Sequence, residues 1–162
     1  MIEKIDALKN ALNKSKFQQN VLTNIENLLD RVDLKRLNSS SFIEAEKGTI
    51  TIYLVHELDK NTIVILNILE NHASLWFGEN NIYLDEHSDT GYLGSIYKDC
   101  LEGLYRTDDY YIKRKLIFSI TYMLNYKDIR FLSARTPFYL FYKWFYKGAY
   151  IQKTVEYKSF IT

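Results

Sequence analysis

The sequence has little of the residues that interrupt or cross-link a chain: one proline, one cysteine and six glycines among 162 residues. Because Cys100 has no second cysteine to pair with, an internal disulfide is excluded, as expected in a reducing compartment. The sequence has no Pro- or Gly-rich linker and no internal repeat, so neither feature predicts a second domain. We therefore expect a single domain over residues 1–162, with a helical part at 1–37 and a sheet-rich part at 42–162.

Long hydrophobic runs are also missing. The apolar stretch at 116–124 is far shorter than the roughly 20 residues that a membrane-spanning helix needs. The first ten residues alternate charged and apolar positions and lack the apolar core of a secretory signal. We expect a cytoplasmic protein that does not enter a membrane.

Motifs of catalysis and metal binding are absent. The sequence contains no phosphate-binding loop, dinucleotide fingerprint or nucleophile elbow. His56, His72, His87 and Cys100 do not have the spacing of a zinc site, and Cys100 falls on the apolar side of a predicted helix, as a packed thiol does. The LDEHSD stretch at 84–89 could hold a hard cation or serve as acid and base, although such clusters are more often solvated turns. We expect no enzyme activity, no metal and no cofactor.

Aromatic residues are abundant, at 15% of the chain with 14 Tyr and 9 Phe. They are densest at 138–146, where seven of nine positions carry rings. The residues at its two ends are those that commonly bound a helix: Thr136 can act as a capping hydroxyl, Pro137 suits the first turn and Gly148 suits the end. This pattern predicts an aromatic helix near 137–147. Two short strands are the competing interpretation.

Helical spacing would bury part of this aromatic segment and leave Tyr139, Lys143 and Tyr146 on a separate face. Most aromatic stripes of this kind close a core. The alternatives are a stacking surface for nucleic-acid bases or a contact for a protein partner.

The spacing of apolar residues predicts an α+β fold. Before residue 37, apolar residues recur every three or four positions, which indicates one bent helix or a helix pair. Four stretches rich in β-branched and aromatic residues follow, at 49–58, 62–70, 74–78 and 81–86. Because the breaks between them are too short for a crossover, these strands must be antiparallel neighbours.

The pattern then changes to helical spacing, which predicts an inserted helix near 90–103. Asp89 or Thr90 can cap its start, and Gly103 lies near its end. Three further strand segments follow, at 108–124, 125–135 and 153–160. The expected architecture is a set of N-terminal helices packed on a mainly antiparallel sheet of five to seven strands.

Charge is unevenly distributed along the chain, although the net charge is only +1. Residues 1–50 carry +1, residues 51–110 carry −8 and residues 111–162 carry +8. Such a division indicates a charged partner surface, unless packing interleaves the two segments. Acidic residues at strand ends and turns could line one rim of the sheet and attract a basic protein. These candidate partner-binding residues are Glu57, Asp59, Glu70, Glu79, Asp85, Glu86, Asp89, Asp108 and Asp109.

The order of elements over about residues 50–160 resembles that of small bacterial immunity proteins of polymorphic and contact-dependent growth-inhibition toxin systems. The likeness rests on three stretches: NTIVILNILENHASLWFGENNIYLDEH, CLEGLYRTDDYYIKRKLIF and PFYLFYKWFYKGAYIQKTVEYKSF. Gly103, Tyr105 and Arg106 form a Gly-Xaa-Tyr-Arg turn, and Lys113 to Lys115 supply the basic centre of the following strand.

This resemblance implies a cytoplasmic protein without enzyme activity that binds the toxic domain of a cognate toxin, often a nuclease. It would block the active site or the substrate surface of that domain. An acidic rim would then imitate the phosphates that a basic nuclease surface expects.

A second hypothesis is a nucleic-acid-binding module that uses the basic, aromatic segment 111–158. Single-strand binders combine a basic groove with stacked rings, and Tyr142 and Trp144 lie among lysines in this segment.

Overall fold

The computed structural model describes residues 15–126, 129–134 and 151–161, and it confirms the α+β class. These ranges contain two α-helices, one 3-10 helix and two antiparallel sheets of five and four strands. The aromatic helix expected near 137–147 and the helical pattern before residue 15 lie outside the described ranges. None of the described helices is long and apolar enough to cross a membrane.

The first helix, α1 (Lys16–Leu29), begins with a capping box. The Ser15 hydroxyl accepts a hydrogen bond from the Gln18 backbone N–H at 3.1 Å, and the Gln18 side chain accepts one from the Ser15 N–H at 3.0 Å. Its buried apolar residues recur at three- and four-residue intervals, as the sequence predicted: Phe17, Val21, Ile25 and Leu29. A 3-10 helix, Leu34–Arg36, follows α1.

The first sheet is a five-stranded meander in which each strand is antiparallel to the one before it. Its strands are β1 (Phe42–Glu46), β2 (Thr49–Val55), β3 (Ile63–Ile68), β4 (His72–Phe77) and β5 (Asn80–Asp85). The four strands predicted between 49 and 86 are therefore confirmed. The sequence interpretation missed β1, because only Ile43 of its five residues is buried and two of the others are glutamates.

The core lies between one face of this sheet and a pair of helices. The second helix, α2 (Thr90–Glu102), was predicted near 90–103; its Asp89 cap accepts a hydrogen bond from the Gly91 N–H at 2.8 Å. Alternate residues of β2, β3 and β4 are buried against α1 and α2 in one continuous cluster. Cys100 belongs to that cluster with no exposed surface, which confirms that it is a packed thiol.

The second sheet contains β6 (Tyr105–Ile112), β7 (Lys115–Met123), β8 (Arg130–Ala134) and β9 (Ile151–Glu156), in the order β8-β7-β6-β9. The expectation of five to seven strands in one sheet is thus corrected to nine strands in two sheets among the described residues. The strand expected over 108–124 is a hairpin. Its turn residues Lys113 and Arg114 adopt left-handed backbone angles, with φ of 48° and 69°. Neither turn residue is the glycine or asparagine that usually marks such a turn, so the turn was not predicted.

The two sheets meet through rings and a buried polar chain. Phe77 contacts Tyr105 edge to face, with ring centroids 5.5 Å apart, and Tyr105 stacks on Tyr157 at 4.1 Å. The Tyr157 hydroxyl donates to Thr107 Oγ1 at 3.0 Å, and Thr107 Oγ1 lies 2.8 Å from Thr121 Oγ1. These contacts satisfy hydroxyl groups that would be costly to bury alone.

The segment 157–161 ties the helices to the second sheet. Phe160 has no exposed surface; its N–H donates to the Leu101 carbonyl at 2.7 Å, and its carbonyl accepts from the Asp33 N–H at 2.9 Å. The Arg36 guanidinium donates to the carbonyls of Ser159 and Ile161 at 3.1 and 2.6 Å. The segment 157–161 therefore joins parts of the chain that are more than a hundred residues apart in the sequence.

Gly103, which ends α2, is expected to be sensitive to substitution. Its φ is 70°, and a Cβ added there would lie 2.8 Å from the Tyr157 carbonyl oxygen and 2.9 Å from backbone atoms of Lys158 and Ser159. Gly103→Ala should therefore lower the free energy of unfolding by about 3 kcal/mol or more, since strain and a backbone clash add.

Gly48→Ala is the matched control for Gly103→Ala. Gly48 has a φ of 80°, but a Cβ added there meets nothing within 4 Å. This change should cost only about 1–2 kcal/mol of left-handed strain. Urea denaturation of both variants measures the difference, and equal losses would show that the contact with 157–159 is not tight.

Candidate protein-binding surface

One face of the five-stranded sheet points away from the helices and exposes aromatic side chains. We call it the outer face; its accessible positions are Phe42, Glu44, Glu46, Thr49, Thr51, Tyr53, Ile63, Ile65, Asn67, His72, Ser74, Trp76, Asn81, Tyr83 and Asp85. Trp76 is 45% exposed and Tyr83 is 63% exposed. Isolated exposed rings are common on proteins, but a contiguous group of them marks an interaction surface.

The strand register arranges these side chains in rows across the sheet. Phe42 is opposite Tyr53, Tyr53 is opposite Ile65 and Ile65 is opposite Trp76, which makes an apolar row. The ring of Phe42 stacks on that of Tyr53, with centroids 5.2 Å apart and planes at 21°. The middle of the outer face is therefore apolar and its first two rings hold each other in place.

A polar row runs beside the apolar one. It consists of Glu44, Thr51, Asn67, Ser74 and Tyr83, which are successive partners across the five strands. The Thr51 hydroxyl donates to Asn67 Oδ1 at 3.1 Å. The neighbouring rows give the outer face both apolar contact area and hydrogen-bonding groups, as protein interfaces require.

The charge of the outer face has one sign. Its fifteen accessible positions include three carboxylates, Glu44, Glu46 and Asp85, and no lysine or arginine. Asp85 Oδ1 accepts hydrogen bonds from the Ser88 hydroxyl at 2.8 Å and from the His87 N–H at 3.0 Å. The Ser88 bond is the main cause that lowers the pKa of Asp85, so this carboxylate stays charged well into the acidic range.

The nine carboxylates predicted to line one rim do not lie together. Glu57, Asp59 and Glu79 follow strands that end on one side of the first sheet. On the opposite side Asp85 is the last residue of β5, and Glu70, Glu86 and Asp89 follow strands that end there. Asp108 and Asp109 lie in β6 of the second sheet. The single rim is therefore corrected to separate groups. The reason is that each turn of an antiparallel meander returns the chain to the other end of the sheet.

Several of these carboxylates have local structural bonds. Asp59 Oδ2 accepts from the Thr62 hydroxyl at 2.7 Å, and Asp89 caps α2. Asp108 is buried and accepts from the Thr154 hydroxyl at 2.8 Å. Asp109 accepts from the Ser119 hydroxyl at 2.7 Å. Of the nine predicted residues, Asp85 alone lies on the outer face.

Sequence reasoning missed Glu44, Glu46 and the rings of the outer face. The two glutamates alternate with Ile43 and Ala45 in FIEAE, so a period of two was visible once that stretch was recognised as a strand. The exposed positions of β2 to β4 were harder to find, because isoleucine, tyrosine and tryptophan suit a buried face equally well.

A cleft of about 380 Å³ lies where the end of the first sheet meets the second sheet. It brings the predicted residues Glu79 and Asp109 together with Lys60 and Lys153. Lys153 is directly opposite Asp109 across the β6–β9 ladder. The acidic middle and the basic later part of the chain therefore interleave at the cleft, and its charge is balanced.

Tyr157 forms part of the wall of this cleft. Burial raises the pKa of its hydroxyl, while the hydrogen bond to Thr107 acts in the opposite direction. The tyrosine is thus a neutral donor at physiological pH, and its role is to hold the junction of the sheets.

The LDEHSD stretch forms the end of β5 and the turn before α2. The bonds to Asp85 Oδ1 from His87 and Ser88 close this turn. Within residues 15–126, 129–134 and 151–161, no three His, Cys, Asp or Glu side chains converge as metal ligands would. Burial raises the pKa of the Cys100 thiol well above its usual value, so it is not an activated nucleophile.

Comparison with known proteins gives no match among family models, curated proteins or solved structures.

Ser88→Ala should raise the pKa of Asp85 towards its ordinary value of 3.8, because it removes the largest cause of the shift. The lowered pKa contributes stability above pH 3.8 that is lost as the pH falls through the folded-state value, and the variant should lose part of it. An NMR titration of the Asp85 carboxyl carbon measures the shift.

Ser95→Ala is the control, since the Ser95 hydroxyl donates to the Gly91 carbonyl within α2. It should leave the titration of Asp85 unchanged. A Ser88→Ala titration that matches the wild type would contradict the assigned cause.

Proposed function

We propose that this chain is a toxin-neutralising immunity protein that binds the toxic domain of a cognate bacterial toxin. The observation that carries the proposal is the outer face, where the exposed rings of Phe42, Trp76 and Tyr83 share a surface with three carboxylates and no lysine or arginine. Exposed aromatic residues are characteristic of binding surfaces, and charge of one sign selects a partner of the other sign.

The charge of the outer face favours a basic partner. Nuclease domains are basic where they hold phosphate groups, so an acidic surface can occupy the same place. The net charge of the whole chain, +1, does not oppose this, because binding depends on the local field of the contact. Binding would block the active site or the substrate surface of the toxic domain.

Inhibition of this kind requires no chemical step from the inhibitor. Complementary shape, buried rings and paired charges are sufficient for affinity. We place the protein in the cytoplasm, where an incoming nuclease domain would meet its substrate, and we expect it to act without enzyme activity.

Coexpression with a toxin domain encoded by a neighbouring gene would test the proposal. Wild-type protein should protect the cells and form a complex that survives gel filtration. Trp76→Ala should weaken the complex by about 30-fold or more, because it removes a central exposed ring. Isothermal titration calorimetry measures the affinity.

Tyr92→Ala is the matched control, since Tyr92 is 40% exposed but lies on α2, away from the outer face. It should bind as the wild type does. The proposal fails when cells die as fast with the protein as without it and no complex is isolated.

The runner-up function, a nucleic-acid-binding module over 111–158, is favoured by one observation. Lys113, Arg114 and Lys115 are all exposed at the tip of the β6–β7 hairpin, beside the partly exposed ring of Tyr111. Clustered cations beside rings are typical of surfaces that contact a phosphate backbone and its bases.

This alternative predicts that single-stranded RNA or DNA is bound with an affinity that falls steeply with salt. Replacing Lys113 and Arg114 by glutamate should abolish binding, and Tyr142→Ala or Trp144→Ala should weaken it about 5-fold or more. Electrophoretic mobility shift at low salt is the measurement. The alternative is eliminated when no oligonucleotide is retarded by the wild-type protein.

A further inference from the structure

Both edge strands of the first sheet carry an aromatic ring and a carboxylate two residues apart on the outer face. In β1 the pair is Phe42 and Glu44, and in β5 it is Tyr83 and Asp85. Residues i and i+2 of a strand point the same way and lie about 7 Å apart. Each pair therefore presents a ring face beside a negative charge.

The two rings are held by neighbours but remain accessible. Phe42 stacks on Tyr53 and is 38% exposed, and Tyr83 lies against His72, with ring centroids 5.1 Å apart, and is 63% exposed. A ring that is fixed by a neighbour loses little freedom when a ligand stacks on its open side. Both rings are therefore held in place while one side of each remains accessible to a ligand.

The carboxylates differ in how they are held. Asp85 is oriented by two hydrogen bonds to Oδ1 from the turn that follows β5. Glu44 is exposed in the middle of β1 and faces Thr51 across the ladder. Glu46, two residues further along, forms an ion pair with Lys47 at 3.1 Å and so has a local cation.

A ring beside a carboxylate matches the chemistry of an arginine side chain. The planar guanidinium stacks on an aromatic face and donates parallel hydrogen bonds to a carboxylate. A lysine ammonium is a strongly hydrated point charge and cannot do both as well. A nucleic-acid phosphate would be repelled by Glu44 and Asp85.

The two pairs are separated by four strand spacings, which is roughly 19 Å. Between them the polar row of Thr51, Asn67 and Ser74 joins Glu44 to Tyr83, and the apolar row runs beside it from Phe42 to Trp76. A partner that fits this surface presents two basic side chains about that far apart, with both polar and apolar residues between them.

We infer that the ring–carboxylate pairs Phe42–Glu44 and Tyr83–Asp85 are receptors for two arginine side chains of a basic protein partner. The identity of that partner as a toxin domain rests on the proposed function. The preference for arginine rests only on the chemistry of the outer face.

A peptide probe tests the preference on the full-length protein. The probe has arginine at both ends and five alternating leucine and threonine residues between, so an extended chain spans roughly 20 Å. Two further peptides carry lysine or uncharged citrulline at the ends. NMR chemical-shift titration should place the arginine peptide at the amides of β1 and β5 and show about 3-fold or more tighter binding than the lysine peptide.

Conservative variants locate the receptors. Glu44→Gln, Asp85→Asn and Phe42→Leu should each weaken the arginine peptide by about 3-fold or more, and Asp85→Asn keeps the Oδ1 acceptor that closes the turn. Glu46→Gln is the matched control: it removes the same charge from the same face but leaves both pairs intact, and it should change the affinity by less than about 2-fold.

The inference is overturned when arginine and lysine peptides bind equally, when neither binds, or when Glu46→Gln weakens binding as much as Glu44→Gln. These outcomes are separable from failure of the proposed function. A toxin complex that is insensitive to Glu44→Gln and Asp85→Asn overturns the receptors alone. A clear arginine preference in a protein that does not neutralise the toxin supports the receptors and overturns the proposed function.

Discussion

The burial of one face of the five-stranded sheet against α1 and α2 is the constraint on which the rest of the structure depends. Alternate residues of a strand point to opposite sides, so a sheet that gives one side to a helix pair must leave the other side to solvent or to a partner. The buried side supplies the continuous apolar core, with Ile52, Leu66 and Leu75 fully covered. The other side carries the rings and carboxylates of the outer face, and the register fixes which of them are neighbours.

The second sheet is attached by a different kind of contact. The rings of Phe77, Tyr105 and Tyr157 meet at the end of the first sheet, and the hydroxyls of Thr107 and Thr121 continue the junction as a hydrogen-bonded chain. Such a polar junction has narrow geometric tolerance, because each hydroxyl needs its partner in place. It holds β6 and β9 at the end of the first sheet, where Lys60 and Lys153 lie with Glu79 and Asp109 in the cleft.

The sequence was sufficient to predict the helices and strands that are determined by residues close together in the chain. Apolar spacing located α1 and α2, the Asp89 cap and Gly103 bounded α2, and short polar breaks made β2 to β5 antiparallel neighbours. What it could not predict depended on contacts between distant residues. The β6–β7 turn places Lys113 and Arg114 in a conformation that their side chains do not favour, and the edge strand β1 buries too little apolar surface to show a clear pattern.

For the candidate site, the sequence predicted an acidic surface, and the carboxylates of the outer face lie mostly at other positions than the predicted ones. Which carboxylates share a surface is decided by strand register and by the direction of each turn, and neither is visible in composition.

The placement of the segment 157–161 also has a consequence for how the protein is made. Its bonds to Asp33, Arg36 and Leu101 join the helices to the second sheet, so a ribosome must release nearly the whole described chain before the core can close. Until then the helices and the first sheet lack the core contacts of Phe160 and Ile161 and expose apolar surface that a chaperone can bind.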